Sequence, residues 1–420
     1  NTINVAQKNL LDLIFSIVAF ACIGFLISFG FDTQSAEWRF LLLTDLTPSE
    51  SAFFAFQAMF CGTAATIVSG AAAERLRLNS YIICSTFVAA LIYPVIVQLA
   101  WGNALRPSNL AFLANNGFVD FAGSTVVHST GAWVSLAACL VLGPRIGRFT
   151  PDGKPNRMAG HSAVLATAGT MLIFVGWVGF NGGSTIVATS GIAHIVANTM
   201  LAAGSGGAVG YLMGVRESGV AHPEDLICGM LGGLVAVTAG CHILNGDGAL
   251  FMGALGGAAA IWGNRFVERR LRLDDAVGAI GVHGFAGVTG TLMLCFLAPA
   301  ELLPEGGRLA QLQIQAIGVF GNFCWAFGAA YLFFRLLNSR RPIRISTTDE
   351  ARGLNQSEHD TTLGIGNIET ALDRLIYSSS DMSDRLPLPR GEEAERVARL
   401  FNEFLDKIEG SEIARRSEEE

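Results

Sequence analysis

Residues 125–129 read Thr-Val-Val-His-Ser, and residues 280–284 read Ile-Gly-Val-His-Gly. Each stretch places a histidine after an apolar residue, inside a glycine-rich hydrophobic segment. Ionisable residues are costly in a membrane span and usually functional there, so His128 and His283 are the first candidate functional residues. Two pseudo-equivalent helices with one polar residue each predict an inverted-repeat helix bundle, whose working site lies where the repeats meet.

The composition around these segments is that of a membrane protein. Only 15% of the 420 residues are charged, 51% are apolar, and the mean hydropathy is +0.45, whereas soluble proteins are about 25% charged. The 49 glycines suit helices that pack closely in a bilayer. The eight cysteines include no Cys-x-x-Cys pair, so the sequence indicates neither a disulfide framework nor a zinc site.

Ten apolar segments are long enough to span a bilayer, which predicts an all-α polytopic membrane protein. They lie near residues 10–31, 51–73, 80–100, 119–142, 160–180, 186–215, 225–244, 248–264, 276–298 and 310–337. Arginine and lysine concentrate in alternate loops, and the loops at 32–50, 101–118 and 299–309 carry few of them. Because positive loops stay inside, both chain ends are predicted to be cytoplasmic, with the bundle in the plasma (inner) membrane.

The charge is divided unevenly between two parts of the chain. Residues 346–420 hold 18 acidic and 9 basic residues, and residues 1–345 hold 17 acidic and 19 basic residues. A near-neutral membrane domain at 1–345 therefore precedes an acidic tail, which we divide into a segment at 346–385 and a linker at 386–420. An acidic tail on a neutral bundle makes nucleic acid a poor partner.

Four more residues are candidates, and each also has an ordinary structural reading. Asp120 opens the fourth segment, either as a helix N-cap or as a fixed negative charge near an outer mouth, and the two roles are compatible. Trp101 ends the third segment, where a lone tryptophan usually anchors the chain at the membrane interface. Phe60 and Phe180 could be ordinary lipid-facing or core aromatics.

Six short motifs follow one another along the chain. They are FQAMF at 56–60, AERLR at 73–77, DFAGSTVVH at 120–128, GWVGFNGGS at 176–184, GLVAVTAGC at 233–241 and DDAVGAIGVHG at 274–284. In this order they resemble the ammonium transporter (Amt/MEP/Rh) family over about residues 1–360. The resemblance implies a homotrimer in which each eleven-helix subunit has its own pore. This chain begins where the family's first helix has ended, so ten spans are expected in it.

The resemblance also implies roles for individual residues. The outer ammonium site would consist of Trp101, Phe60 and Ser184, with Asp120 beside it; Phe60 and Phe180 would form the gate; and His128 and His283 would be the twin histidines of the pore. An aromatic cage attracts a small cation through cation–π interactions, and Ser184 can accept a hydrogen bond from ammonium. Ammonium can leave a proton behind and continue as neutral ammonia, which avoids the cost of burying a charge.

Two departures from the family pattern accompany the resemblance. The 102–117 loop is longer than usual, so the outer vestibule is expected to differ. Cys228 stands where the family often has asparagine. No catalytic residue, metal site or cofactor is indicated, so the chain is not expected to be an enzyme.

The tail extends the chain past the family's usual end. Two helices are predicted near 362–377 and 391–410, around the sequence Leu-Pro-Leu-Pro at 386–389. The second carries an apolar stripe at heptad-like spacing, formed by Ala394, Val397, Phe401, Phe404 and Ile408. This arrangement resembles a HAMP linker to an output domain that is expected beyond this sequence. The alternative is a regulatory tail that folds on the cytoplasmic face.

Two functions from different classes follow from these observations. One is an ammonium receptor that relays to a fused or downstream signalling domain, and the tail favours it. The other is a channel-like ammonium transporter, because every pore residue expected of a conductor is present. A structural membrane scaffold would leave the two histidines unexplained.

Overall fold

A computed structural model describes residues 1–304, 306–361, 385–386 and 395–419, and most of these residues are helical. Up to residue 340, the described chain forms ten long helices, one after another: α1 Thr2–Phe29, α2 Pro48–Ala71, α3 Leu78–Trp101, α4 Ser124–Leu142, α5 Ala163–Gly183, α6 Gly191–Ser218, α7 Pro223–Val237, α8 Gly246–Arg269, α9 Ile280–Leu297 and α10 Gly307–Arg340. A small antiparallel hairpin pairs Phe31–Asp32 with Glu37–Trp38.

Eight of the ten long helices are long and apolar enough to cross a membrane. The other two are α7, which has 15 residues, and the glycine-rich α8, which is less apolar. The all-α membrane fold is confirmed, and the count of ten spans stays a prediction.

Local sequence signals explain where several helices begin. At α2 the Thr47 hydroxyl accepts from the Glu50 amide while the Glu50 carboxylate accepts from the Thr47 amide, and Pro48 occupies the first turn. This reciprocal pairing satisfies backbone donors that a helix start leaves open. At α5 the Ser162 hydroxyl accepts from the Leu165 amide.

The arginine-rich loops meet on one face of the bundle. Arg75 donates to the carbonyl of Gly143 at 2.8 Å, and Arg145 forms an ion pair with Asp274 at 2.9 Å. Arg344, just after α10, donates to the carbonyl of Leu142. The loops after α2, α4, α8 and α10 therefore lie together, as their charge pattern predicted. We call this the arginine-rich face.

The glycines of α6, α7 and α8 allow these helices to touch backbone to backbone. A Cβ atom on Gly206 of α6 would lie 2.6 Å from the carbonyl oxygen of Gly229 in α7. A Cβ atom on Gly257 of α8 would lie 2.5 Å from the carbonyl oxygen of Gly206. Any side chain there would force the helices apart, which explains the high glycine content of this part of the bundle.

Residues 5–351 form one compact unit, and residues 1–4 with 352–420 form a second. The second unit contains the short helix Leu354–His359 and a long helix at Glu395–Glu419. The long helix overlaps the predicted 391–410, whereas the predicted helix at 362–377 and residue Ala394 lie outside the described residues. Asn402 bonds both backbone groups of Leu386, at 2.8 and 2.9 Å. Among the described stripe residues, Val397 and Phe404 are exposed.

Candidate functional site

The two histidine segments share a longer pattern than sequence analysis detected. Asp120, Gly123 and His128 have the same spacing as Asp275, Gly278 and His283, so both segments read Asp-x-x-Gly-x-x-x-x-His. Both glycines have a positive φ, at +104° and +73°. In each repeat the histidine lies in a wide, π-helical turn, at Ser124–Ser129 and Ile280–Phe285. Such turns are frequent at functional sites.

The aspartate of each repeat caps the helix that carries the histidine. Asp120 is buried, and its carboxylate accepts the backbone amides of residues 123, 124, 125 and 126 at 2.8–3.1 Å. In the second repeat, Asp275 accepts from the amide of Ile280 at 2.7 Å. Asp120 thus satisfies amides at the start of the helix, as an N-cap would, but Gly123 occupies the N-cap position itself. Sequence analysis missed Asp275, which the Asp-x-x-Gly-x-x-x-x-His repeat could have identified.

The two histidine rings lie against each other inside the bundle. Their centroids are 5.2 Å apart with an interplanar angle of 18°, and His128 is 1% exposed. The ring of Trp177 also lies near His128, at 5.0 Å with an interplanar angle of 16°. Among the described residues, neither ring nitrogen of His128 has a hydrogen-bond partner, and the same is true of Nδ1 of His283. Buried polar atoms normally have partners, so these nitrogens are available to a small polar molecule.

Two stacked phenylalanines lie next to the histidines. The rings of Phe60 from α2 and Phe180 from α5 are 4.1 Å apart with an interplanar angle of 19°. Phe180 also stacks on His128 at 5.4 Å. The chain of rings therefore runs from Phe60 through Phe180 and His128 to His283. The ring of Phe56 packs against Phe60 at 4.5 Å.

Trp101 and Ser184 join this chain at its other end. The indole of Trp101 lies 6.2 Å from the ring of Phe60 and donates to the backbone carbonyl of Asp120 at 2.8 Å. The hydroxyl of Ser184 donates to the carbonyl of Phe180 at 2.9 Å. Contacts between side chains thus join Trp101, Phe60 and Phe180 to the two histidines. The Ser184 hydroxyl bonds one turn back within α5, so its place in an outer site stays a prediction.

A network of polar side chains that sequence analysis missed holds the ring of Trp177, which contacts His128. Trp177 donates to the hydroxyl of Thr238 at 2.9 Å, and Thr238 donates to the side-chain oxygen of Asn181 at 3.2 Å. Asn181 in turn donates to Thr199 at 2.9 Å. Four buried polar side chains from α5, α6 and the end of α7 therefore satisfy one another and fix Trp177 against His128.

A polar cavity of about 440 Å³ opens on the arginine-rich face. Asp275 and Cys228 line it, together with Asn264 of α8. Several arginines around it form ion pairs: Arg148 with Glu268, Arg157 with Glu224, and both Arg265 and Arg269 with Glu217. The capping aspartate of the second repeat therefore faces a cavity at the opposite end from Trp101.

Asp274, beside that cavity, holds the arginine-rich loops together. Burial raises the pKa of Asp274, but hydrogen bonds from Arg145 and the positive charge of Arg75 outweigh burial and leave the pKa below its ordinary value. Arg148 adds an ion pair at 3.2 Å. The carboxylate is therefore charged under physiological conditions and anchors three loops.

Comparisons with known proteins agree with this architecture. The sequence profile described as the Ammonium Transporter Family matches residues 1–363. The ammonium transporter Amt2 of Archaeoglobus fulgidus is 36% identical over 378 residues, covering 86% of this chain and 80% of its own length. A solved structure named Sensor Amt Protein is 39% identical with a TM-score of 0.82, covering 85% of this chain and 90% of its own. The structure of Saccharomyces cerevisiae Mep2, at 21% identity and a TM-score of 0.74, shows the same fold.

Proposed function

The chain belongs to the ammonium transporter family, and from that premise we propose that it binds ammonium at an outer site and relays binding to a cytoplasmic signalling module. Ammonium is the substrate class that the family implies. The observation that carries the proposal is the continuous chain of ring contacts from Trp101 through Phe60 and Phe180 to the two histidines.

The outer end of the stack suits a small cation. The faces of Trp101 and Phe60 supply the negative side of two aromatic quadrupoles, which attract ammonium by about 0.5–2 kcal/mol. We assign Ser184 as a hydrogen-bond acceptor and Asp120 as a fixed negative charge beside the site. Because the Asp120 carboxylate already accepts four backbone amides, it would act through its field rather than by direct contact.

The inner part of the stack suits a neutral molecule. Phe60 and Phe180 would form the gate, and the unpartnered nitrogens of His128 and His283 would hydrogen-bond ammonia behind it. A charged ion in this aromatic and largely buried environment would lose its hydration without an ion-pair partner. The geometry therefore favours transfer of a proton from ammonium to water at the outer mouth, before the gate.

The tail supports the sensor over the plain transporter. The family match ends at residue 363, yet the described chain continues with a 25-residue helix at Glu395–Glu419. The Sensor Amt Protein is similar over most of the chain. We propose that 1–345 is the membrane domain, 346–385 a tail segment and 386–420 a HAMP-like or coiled-coil linker.

We place the arginine-rich face in the cytoplasm of the plasma (inner) membrane, following the charge rule for loops. We also propose the homotrimer that the family implies. The apolar side chains Val164 and Leu172 of α5 are 79% and 74% exposed, which leaves a surface for lipid or for a neighbouring subunit.

The second candidate function is a channel-like transporter that passes ammonia along the twin-histidine pore. The stacked histidines with unpartnered nitrogens favour it, because binding at the outer mouth alone does not require them. In the transporter, the proton released at the outer mouth is relayed along the histidines, so the two candidates differ in whether net charge crosses the membrane.

Current measurement on a solid-supported membrane separates the candidates. The purified full chain is reconstituted at two lipid-to-protein ratios and exposed to ammonium pulses. A sensor should give a brief binding current whose decay is the same at both ratios. A sustained current whose decay slows as the lipid-to-protein ratio rises would contradict the sensor and establish transport. No current, together with no ammonium-induced thermal stabilisation, would contradict ammonium recognition itself.

A further inference from the structure

A groove of about 680 Å³ lies between α3 and α10, away from the histidine stack. Phe87 and Leu91 of α3 line one wall, and Leu332, Phe333 and Leu336 of α10 are among the residues of the other. Leu332 and Leu336 are more than half exposed. Gly328 and Ala329 are the smallest residues of the lining, and they leave space for a bound molecule.

The walls of this groove are held in place by specific contacts. The rings of Phe87 and Phe333 stack at 4.4 Å with an interplanar angle of 7°. The indole of Trp325 donates to the carbonyl of Ile92 at 2.9 Å, at the end of the π-helical turn Val88–Ile92 in α3. The groove is therefore formed in advance of binding, as ligand sites usually are.

One charged residue stands at the end of this apolar lining. Arg340 is the last residue of α10, it lines the groove, and it is exposed. Arg145, Arg148 and Arg344 on the same face are each paired with a carboxylate. Among the residues that the structure describes, Arg340 has no ion-pair partner. The groove thus joins a long apolar surface to one uncompensated positive charge.

We propose that this groove binds an anionic phospholipid, with an acyl chain between α3 and α10 and the phosphate at Arg340. Basic positions beside clefts between membrane helices on the positive face are suited to anionic headgroups. The guanidinium can donate two parallel hydrogen bonds to a phosphate. A zwitterionic lipid would fit the apolar part equally well but would carry no net charge to pair with Arg340.

Native mass spectrometry of the purified full chain measures the preference directly. The protein is titrated with phosphatidylglycerol or with phosphatidylcholine of the same acyl chains. We expect phosphatidylglycerol to bind about fivefold more tightly, the factor that one arginine near an anionic headgroup supplies. Arg340→Gln should remove this preference. The matched control Arg335→Gln, which neutralises an exposed arginine of α10 outside the groove, should keep it.

A second pair of variants tests the apolar part of the groove. Gly328→Leu should lower binding of both lipids, because the new side chain fills the groove. A Cβ atom at Gly328 meets no atom within 4 Å, and the same holds at Gly321 of α10, which lies outside the groove. Gly321→Leu is therefore the control and should leave binding unchanged.

Three results would overturn the proposal. One is equal binding of the two lipids by the unmodified chain, and another is a preference that survives Arg340→Gln. The third is a Gly328→Leu variant that changes the number of subunits but not lipid binding, which would make the groove a contact between copies. Because Arg340→Gln changes no packing in the bundle, the proposal can be refuted even if Gly328→Leu does not fold.

Discussion

Replacement of Asp120 by asparagine should destabilise the membrane domain strongly, because the carboxylate satisfies four buried backbone amides. The side-chain oxygen of asparagine can still accept the two backbone amides that one oxygen of the carboxylate accepts. Its NH₂ group would face the other two backbone donors and leave them unsatisfied. At about 1–3 kcal/mol for each unsatisfied donor, the expected loss is about 2–6 kcal/mol.

Asp120→Ala should cost more, because all four amides lose their acceptor. The same reasoning gives about 4–12 kcal/mol, which is comparable with the entire stability of a typical domain. Asp247→Asn is the matched control, since Asp247 lies in the first turn of α8 and is exposed. It should lose only the helix-dipole term of about 0.3–1 kcal/mol.

Thermal unfolding in detergent, followed by a thiol-reactive dye, measures these effects. Cys61, Cys84 and Cys139 are buried, so the rise in dye signal above the constant background from the exposed Cys22 and Cys324 reports opening of the bundle. The melting temperature should fall from the unmodified chain and Asp247→Asn to Asp120→Asn and then to Asp120→Ala. If Asp120→Asn melted with the unmodified chain, the four amide bonds would carry no net stability and the reasoning would fail.

Three further outcomes are expected. Trp101→Leu should weaken ammonium binding several-fold in calorimetry, through loss of the cation–π face, and an unchanged affinity would leave Trp101 as an interface anchor. The pKa of Asp274 is depressed in the folded chain, so the charged carboxylate stabilises the fold at pH values above about 3.9, the pKa of an aspartate in the unfolded chain. The melting temperature should therefore fall as pH drops through that value and below, and Asp274→Asn should flatten that acid limb; parallel pH curves would contradict this. Inter-spin distances from a label at Glu403 should change on addition of ammonium if the tail is a relay, and broad, identical distributions would favour a passive tail.

The membrane helices could be located from sequence because hydropathy reports them directly, but their ends could not. The first segment was predicted to begin near residue 10, whereas α1 begins at Thr2. Lys8 and Asp12 lower the local hydropathy, yet both are buried within 3% exposure. Lys8 donates to the carbonyl of Leu76, and Asp12 accepts from Thr66. Hydropathy alone cannot distinguish a loop from a helical turn whose polar side chains form hydrogen bonds to neighbouring helices.

The candidate site was predictable in composition but not in orientation. Residue types and motif order placed Phe60, Phe180, His128 and His283 in one group. That the histidine rings lie close together in nearly parallel planes involves two π-helical turns and the ring of Trp177 next to His128. These features arise from contacts between residues far apart in sequence, which no local pattern encodes.

The repeat explains how two histidines come to face each other in the interior of the bundle. Each histidine follows its capping aspartate by eight residues, and each cap starts a wide helical turn. The carbonyl of Asp120 holds Trp101 at one end, whereas Asp275 lines the cavity on the arginine-rich face at the other. Because the two helices begin at opposite ends, equal spacing brings both histidines to the same depth. The same short pattern, used twice in opposite directions, thus places both histidines at one depth of the bundle, between the two capping aspartates.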